Sequence, residues 1–176
     1  RFVLMQTEGQ AITAAPFSEK SAADRWIYGA LDRTIAAVRE AFATYRFDFA
    51  AQAVYEFVWN QYCDWYLELV KPVLAKTNPN EAEKAHTRHT LLDVLEQTLR
   101  LIHPLMPYIS EEIWQQTAPL LGATGDTLMT QAYPAATNGE DPQADAEIAW
   151  LQETLLGVRK IRADMNIAPG KPLPLI

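Results

Sequence analysis

A single cysteine, Cys63, among 176 residues excludes an internal disulfide framework. It predicts a reducing, cytoplasmic setting in which a buried thiol acts as a small hydrophobe. Long hydrophobic runs are lacking too: Glu56, Asp64, Glu68 and Lys71 interrupt the most apolar stretch before the roughly 18 residues that a membrane span requires. The N-terminal "RFVLM" has neither the apolar core nor the small-residue cleavage site of an export signal, so a soluble protein without membrane contact is expected. Basic charge is scarce, with 15 Lys and Arg against 22 Asp and Glu, and a net charge of −7 argues against long-range attraction of nucleic acid. The deficit is uneven. Residues 47–156 carry five basic and sixteen acidic side chains, whereas residues 157–176 carry four and one. A local contact to phosphate depends only on charges within about 10 Å at roughly 0.1 M salt, so RNA stays open as a partner.

What is present is helical periodicity. The chain is 49% hydrophobic and long enough for one sizeable core. Ser21 and Asp24 form a capping box, after which Ile27, Leu31, Ile35, Val38, Phe42 and Tyr45 recur at spacings of three and four. Asp48 is the expected cap of a second helix. Its face of Ala51, Val54, Tyr55, Val58, Trp59, Tyr62, Trp65, Tyr66 and Leu69 is broad enough to meet several neighbours. Pro72 predicts a kink or an end near Leu69 to Lys71. A third helix is expected to open with Asn78 as cap and Pro79 first, and to bury Leu92, Leu95, Leu99 and Ile102 before Pro104 stops it. "HPLMPYISEEIW" predicts a corner and a short helix capped by Ser110. A loosely patterned connector precedes a last helix from about Asp145 to Met165, and "IAPGKPLPLI" reads as a turn entering a strand. The expectation is an all-α helical bundle over residues 1–134, followed over 135–176 by a connector, a helix and the start of a strand. Arg1 in place of methionine and the apolar "LPLI" predict a piece of a larger protein.

The chemistry-bearing residues have plain readings. His86 and His89 lie three apart, yet no third ligand is evident and no metal site is expected. His103 is expected against terminal helix carbonyls. "GATGDT" lacks the lysine and the strand of a phosphate loop. Glu111 and Glu112 suit the positive end of a helix dipole, and Cys63 sits on an apolar face as an inert core thiol. No nucleophile, base and orienting partner can be named, so no catalytic residue is assigned. "RKIR" at 159–162 complements a helix C-terminus, with phosphate binding as the functional alternative. In "FVWNQYCDWYLELVKP", Trp59, Tyr62 and Trp65 have core spacing. Glu68 and Lys71, one turn apart at the proline, either pair with each other or face a polar ligand.

Three blocks, "DRWIYGALDRTIAAVREAFATYRFDFAAQAVYEFVWNQYCDWYLELVKP", "RHTLLDVLEQTLRLIHPLMPYISEEIW" and "VRKIRADMNIAPGKPL", resemble in order and spacing the anticodon-binding region of bacterial valyl-tRNA synthetases. Isoleucyl enzymes share the bundle but typically end the second helix closer to "YLDIIKD". The resemblance implies a class I synthetase that joins valine to ATP and then to tRNA(Val), a monomer using ATP and Mg in a catalytic domain. The "HIGH" and "KMSKS" type motifs of that domain do not occur in this chain, so no cofactor is expected here. It further implies an anticodon site formed by Arg1 and Phe2, with Phe2 as the stacking aromatic, and by Leu67 and Glu68; Lys71 is added by proximity. A sister synthetase and a helical protein-interaction module are the alternatives.

Overall fold

A computed structural model describes residues 1–75, 77, 79–137, 139–168 and 171. Its helices are α1 (Phe2–Thr7), α2 (Ala22–Ala43), α3 (Phe47–Glu56), α4 (Leu67–Leu74), α5 (Glu81–Ile102), α6 (Pro107–Thr117) and α7 (Pro142–Asp164). A π-helical stretch, Phe57–Tyr66, joins α3 to α4, and helical backbone at both junctions makes residues 47–74 one continuous rod. No strand occurs among the described residues, and most of the expected C-terminal strand lies outside them. The all-α expectation holds.

Ser21 caps α2 by accepting from the Asp24 amide at 3.1 Å, and Ile27, Leu31, Ile35 and Val38 are buried as the spacing predicts. The helix ends sooner than expected. Tyr45 lies in the left-handed region at φ 57 and is 80% exposed, because the chain reverses there to start α3. Asp48 is not the cap: it sits in the first turn of α3 and accepts from Arg46 Nε at 3.0 Å and Nη2 at 2.7 Å.

The rod departs most from an α-helical reading. From Phe57 onward its buried positions are Phe57, Tyr62, Tyr66, Val70 and Leu74, a spacing of five followed by fours. The wider i→i+5 turns rotate the inward face. Tyr55 and Trp59, expected inside, therefore stack on each other at the surface, ring centroids 6.3 Å apart and 6° from parallel. Pro72 neither ends nor replaces the helix: α4 runs through it and stops at Leu74, where Ala75 turns extended. Only Val73 and Leu74 follow the proline in α4, and its missing N–H costs the single bond back to the Glu68 carbonyl.

α5 is the central helix, with buried residues all round from Lys84 to Leu101. Its cap is Asn80, accepting from the Glu83 amide at 3.1 Å; the expected cap, Asn78, lies outside the described residues. Ser110 is not a cap either. Pro107 opens α6, and the Ser110 hydroxyl donates back to the Met106 carbonyl at 2.7 Å while meeting His103 Nδ1 at 2.8 Å, so His103 contacts a hydroxyl rather than terminal carbonyls. Glu111 holds the connector: its carboxylate accepts from the Thr127 hydroxyl at 2.9 Å and the Leu128 amide at 3.0 Å. α7 starts earlier than expected, capped by Asp141, which also accepts from Arg25 Nε at 2.7 Å. Asp32, buried on α2, receives the Thr137 and Gly139 amides and thereby binds the connector to the bundle.

Candidate nucleic-acid interface

The end of the rod is positioned by a polar contact inside the core. Tyr66 is fully buried and its hydroxyl donates to Asp24 Oδ1; Asp24 Oδ2 accepts from Thr87 at 3.4 Å, linking the rod, α2 and α5. Burial, and then the Asp24 charge and hydrogen bond, drive the Tyr66 ionisation far above the ordinary phenol range. One turn earlier, the Tyr62 hydroxyl donates to the Leu91 carbonyl at 2.9 Å. These bonds fix the register of the helix that follows. Val70 and Leu74 then face the core, Leu67 packs partly buried against it, and Glu68 and Lys71 point outward.

Glu68 and Lys71 form an ion pair through Oε1 and Nζ, with both side chains about half exposed (58% and 50%). Such exposed pairs stabilise little, a few tenths of a kcal/mol. The pairing orients the Glu68 carboxylate rather than holding the fold together, and Oε1 is the oxygen it engages.

Arg1 and Phe2 sit at the start of α1, Arg1 as an exposed cap residue and Phe2 packed against the main core. Val3 and Thr7 anchor the helix, with the Thr7 hydroxyl donating to the Val3 carbonyl at 2.9 Å. Among the described residues no hydrogen bond or ion pair joins Arg1 or Phe2 to Leu67, Glu68 or Lys71. What relates the two places is a cavity of about 410 Å³ lined by Gln6 and Gln10, by Leu74 and by Glu81, Lys84 and Arg88. Gln6 is one turn beyond Phe2, and Leu74 one turn beyond Lys71. None of Arg1, Phe2, Leu67, Glu68 and Lys71 lines this depression itself; its walls come from the residues that follow them in and after α1 and in α4, and from the start of α5.

Sequence reasoning passed over Lys84 and Arg88. Both are cations, 5% and 6% exposed, on a helix whose N-terminal half reads as polar surface. The stripe Glu81, Lys84, Arg88, spaced three and four, was the available signal. Lys84 Nζ donates to Glu81 Oε1 at 2.8 Å, a hydrogen bond that holds the Glu81 carboxyl below its usual range.

The basic cluster near the end of α7 reaches the rod at one point: the Arg159 guanidinium lies 5.6 Å from the centre of the Trp65 ring, a cation–π contact. Cys63 is partly buried, and burial followed by the Asp64 charge pushes its thiol upward, away from reactivity. No group of three metal-binding side chains occurs among the described residues, and His86 and His89 are not brought onto a common centre with a third ligand.

The fold is an all-α helical bundle, and one end of it carries a depression lined by the cations Lys84 and Arg88 together with Glu81. The model for the anticodon-binding domain of tRNA ligase matches residues 24–176, and the chain belongs to that family. It is a tRNA-binding domain of an aminoacyl-tRNA synthetase. The match begins at Asp24, so α1 with Arg1 and Phe2 precedes the matched residues.

Proposed function

We propose that the chain holds the anticodon loop of tRNA(Val) for a valyl-tRNA synthetase, a cytoplasmic monomer whose catalytic domain uses ATP and Mg to join valine to the tRNA. The observation that carries this reading is the family match over residues 24–176, beside a cation-lined depression between α1, the end of α4 and the start of α5. Loop bases splay out of their stack, and an aromatic face such as Phe2 receives one for about 1–3 kcal/mol. The Glu68 carboxylate accepts from the exocyclic amine of adenine or cytosine, the two bases that close a valine anticodon. Lys71 keeps that carboxylate in place, and Leu67 supplies apolar contact beside it. Arg1, Lys71 and Arg159 meet backbone phosphates and set position rather than sequence.

The test is aminoacylation by the full-length enzyme carrying Glu68→Ala, using transcripts with the valine anticodon and with altered second or third anticodon bases. The expected result is discrimination reduced by about tenfold or more, in keeping with roughly 1–3 kcal/mol per base contact. Wild-type charging rates on both transcript sets would remove Glu68 from recognition. Trp65→Ala serves as the contrast: it is expected to lower stability and to leave the preference among anticodons in place.

A further inference from the structure

We infer that the cavity between α1, the end of α4 and the start of α5 is a nucleotide subsite, in which Arg88 and Lys84 receive a phosphate of the bound RNA loop and Gln6 and Gln10 meet the adjoining base. The inference rests on the reading of this end of the bundle as the RNA-binding end. Arg88 carries it. The residue is 6% exposed, lines the cavity, and its Nε has no hydrogen-bond partner. Its Nη1 makes only a long bond of 3.4 Å to the Ala11 carbonyl, and among the described residues no carboxylate lies within ion-pair distance of it. Glu81 in the same lining acts on Arg88 through its charge but not through an ion-pair contact, so the buried guanidinium keeps a planar fork of N–H donors that matches a phosphate.

The rest of the cavity fits the same ligand. Lys84 adds a second buried cation 2.8 Å from Glu81, so the lining carries two positive charges and one negative within a chain of net charge −7. The side-chain amides of Gln6 and Gln10 each offer a donor and an acceptor to a base edge, and Met5, 66% exposed, gives a polarisable surface for its face. At about 410 Å³ the cavity falls within the roughly 300–1,000 Å³ typical of small-ligand sites. The Thr13 amide, bonded to the Ala85 carbonyl at 3.2 Å, holds the segment after α1 against α5, so the walls are formed before any ligand arrives.

The test measures binding of a valine tRNA transcript to the 176-residue chain at low and moderate salt, for wild type, Arg88→Met, Gln10→Ala and Glu68→Ala. Arg88→Met should bind roughly tenfold more weakly, with a salt slope shallower by about 0.7, the value for one single-strand phosphate contact. Its melting temperature without RNA should be no lower than wild type, because an unpaired buried charge has been removed. Gln10→Ala, an exposed change, should weaken binding by about threefold or more. Wild-type affinity and slope in Arg88→Met, with Glu68→Ala still impaired, would overturn the subsite and leave the anticodon reading standing. If Arg88→Met melts lower, Gln10→Ala decides: weakened binding sustains the subsite, and unchanged binding overturns it. No binding by the wild type at low salt would remove the anticodon reading and the subsite with it.

Discussion

Tyr66→Phe is the most informative perturbation of the scaffold, because it deletes one hydroxyl and leaves the packing in place. The ring is fully buried and lies 5.8 Å from that of Tyr62, a contact phenylalanine preserves. What is lost is the donor to Asp24 Oδ1. Asp24 is itself 1% exposed and would retain only the 3.4 Å approach of Thr87. Hydrogen bonds to charged groups contribute about 1.5–3 kcal/mol, so a loss near 2 kcal/mol is expected. At roughly 2–4 °C per kcal/mol for a domain of this size, the melting temperature should drop by about 4–8 °C. Tyr62→Phe is the internal comparison: its hydroxyl donates to a neutral carbonyl, and its removal should cost about 1 kcal/mol. Thermal melts followed by circular dichroism at neutral pH measure both. A Tyr66→Phe variant that melts with the wild type, or that loses less than Tyr62→Phe, would refute the claim that Asp24 and Tyr66 lock the rod to α2. On the proposed role of Glu68, anticodon discrimination should weaken as well, since Leu67 and Glu68 follow Tyr66 directly.

Other outcomes can be checked alongside. Burial, aided by Asp93 for Tyr28 and by Asp24 for Tyr66, raises the ionisation of Tyr28, Tyr62 and Tyr66, and Tyr133 is pushed up to about 12. Below about pH 10 both states keep these protons; above it the unfolded chain releases protons that the native chain retains, so stability should fall as pH rises. Denaturant midpoints that stay flat from neutrality to about pH 11 would contradict this. Glu111→Ala should release the segment around Thr127 and Leu128, seen as faster proteolysis of residues 122–127 with α6 still helical. Burial opposes the lowered Glu111 ionisation, but hydrogen bonds from Gln115, Thr127 and the Leu128 amide outweigh it. The stability this adds is present above the ordinary glutamate range and should be lost as pH falls through it. Pro72→Ala should stabilise the chain by roughly 1–2 kcal/mol by restoring the amide donor to the Glu68 carbonyl, and a melting temperature below wild type would count against an unbroken α4.

The amino-acid sequence by itself determined the helices and the apolar stripe of α2. Spacing of three and four follows from backbone geometry, and Ser21 satisfies an orphan amide with its own side chain. It also offered pairing of Glu68 with Lys71, beside a ligand contact, and marked Cys63 as an inert thiol, because neighbours along one helix suffice for both readings. It did not reveal the π-helical turns of Phe57–Tyr66, which bring Tyr62 inward and leave Trp59 outside, since that winding depends on what the rod packs against. Nor did it separate caps from look-alikes at Asp48 and Ser110, where the helices start earlier, with Arg46 two positions before Asp48 and Met106 four before Ser110 as the flanking residues. Tertiary structure alone decided that α1 and the end of α4 share a cavity, that Asp24 turns inward to Tyr66, and that Lys84 and Arg88 on an otherwise polar half-helix are buried. Burial of a charge is a property of everything around it, and the residues around Arg88 come from parts of the chain up to about 80 positions away.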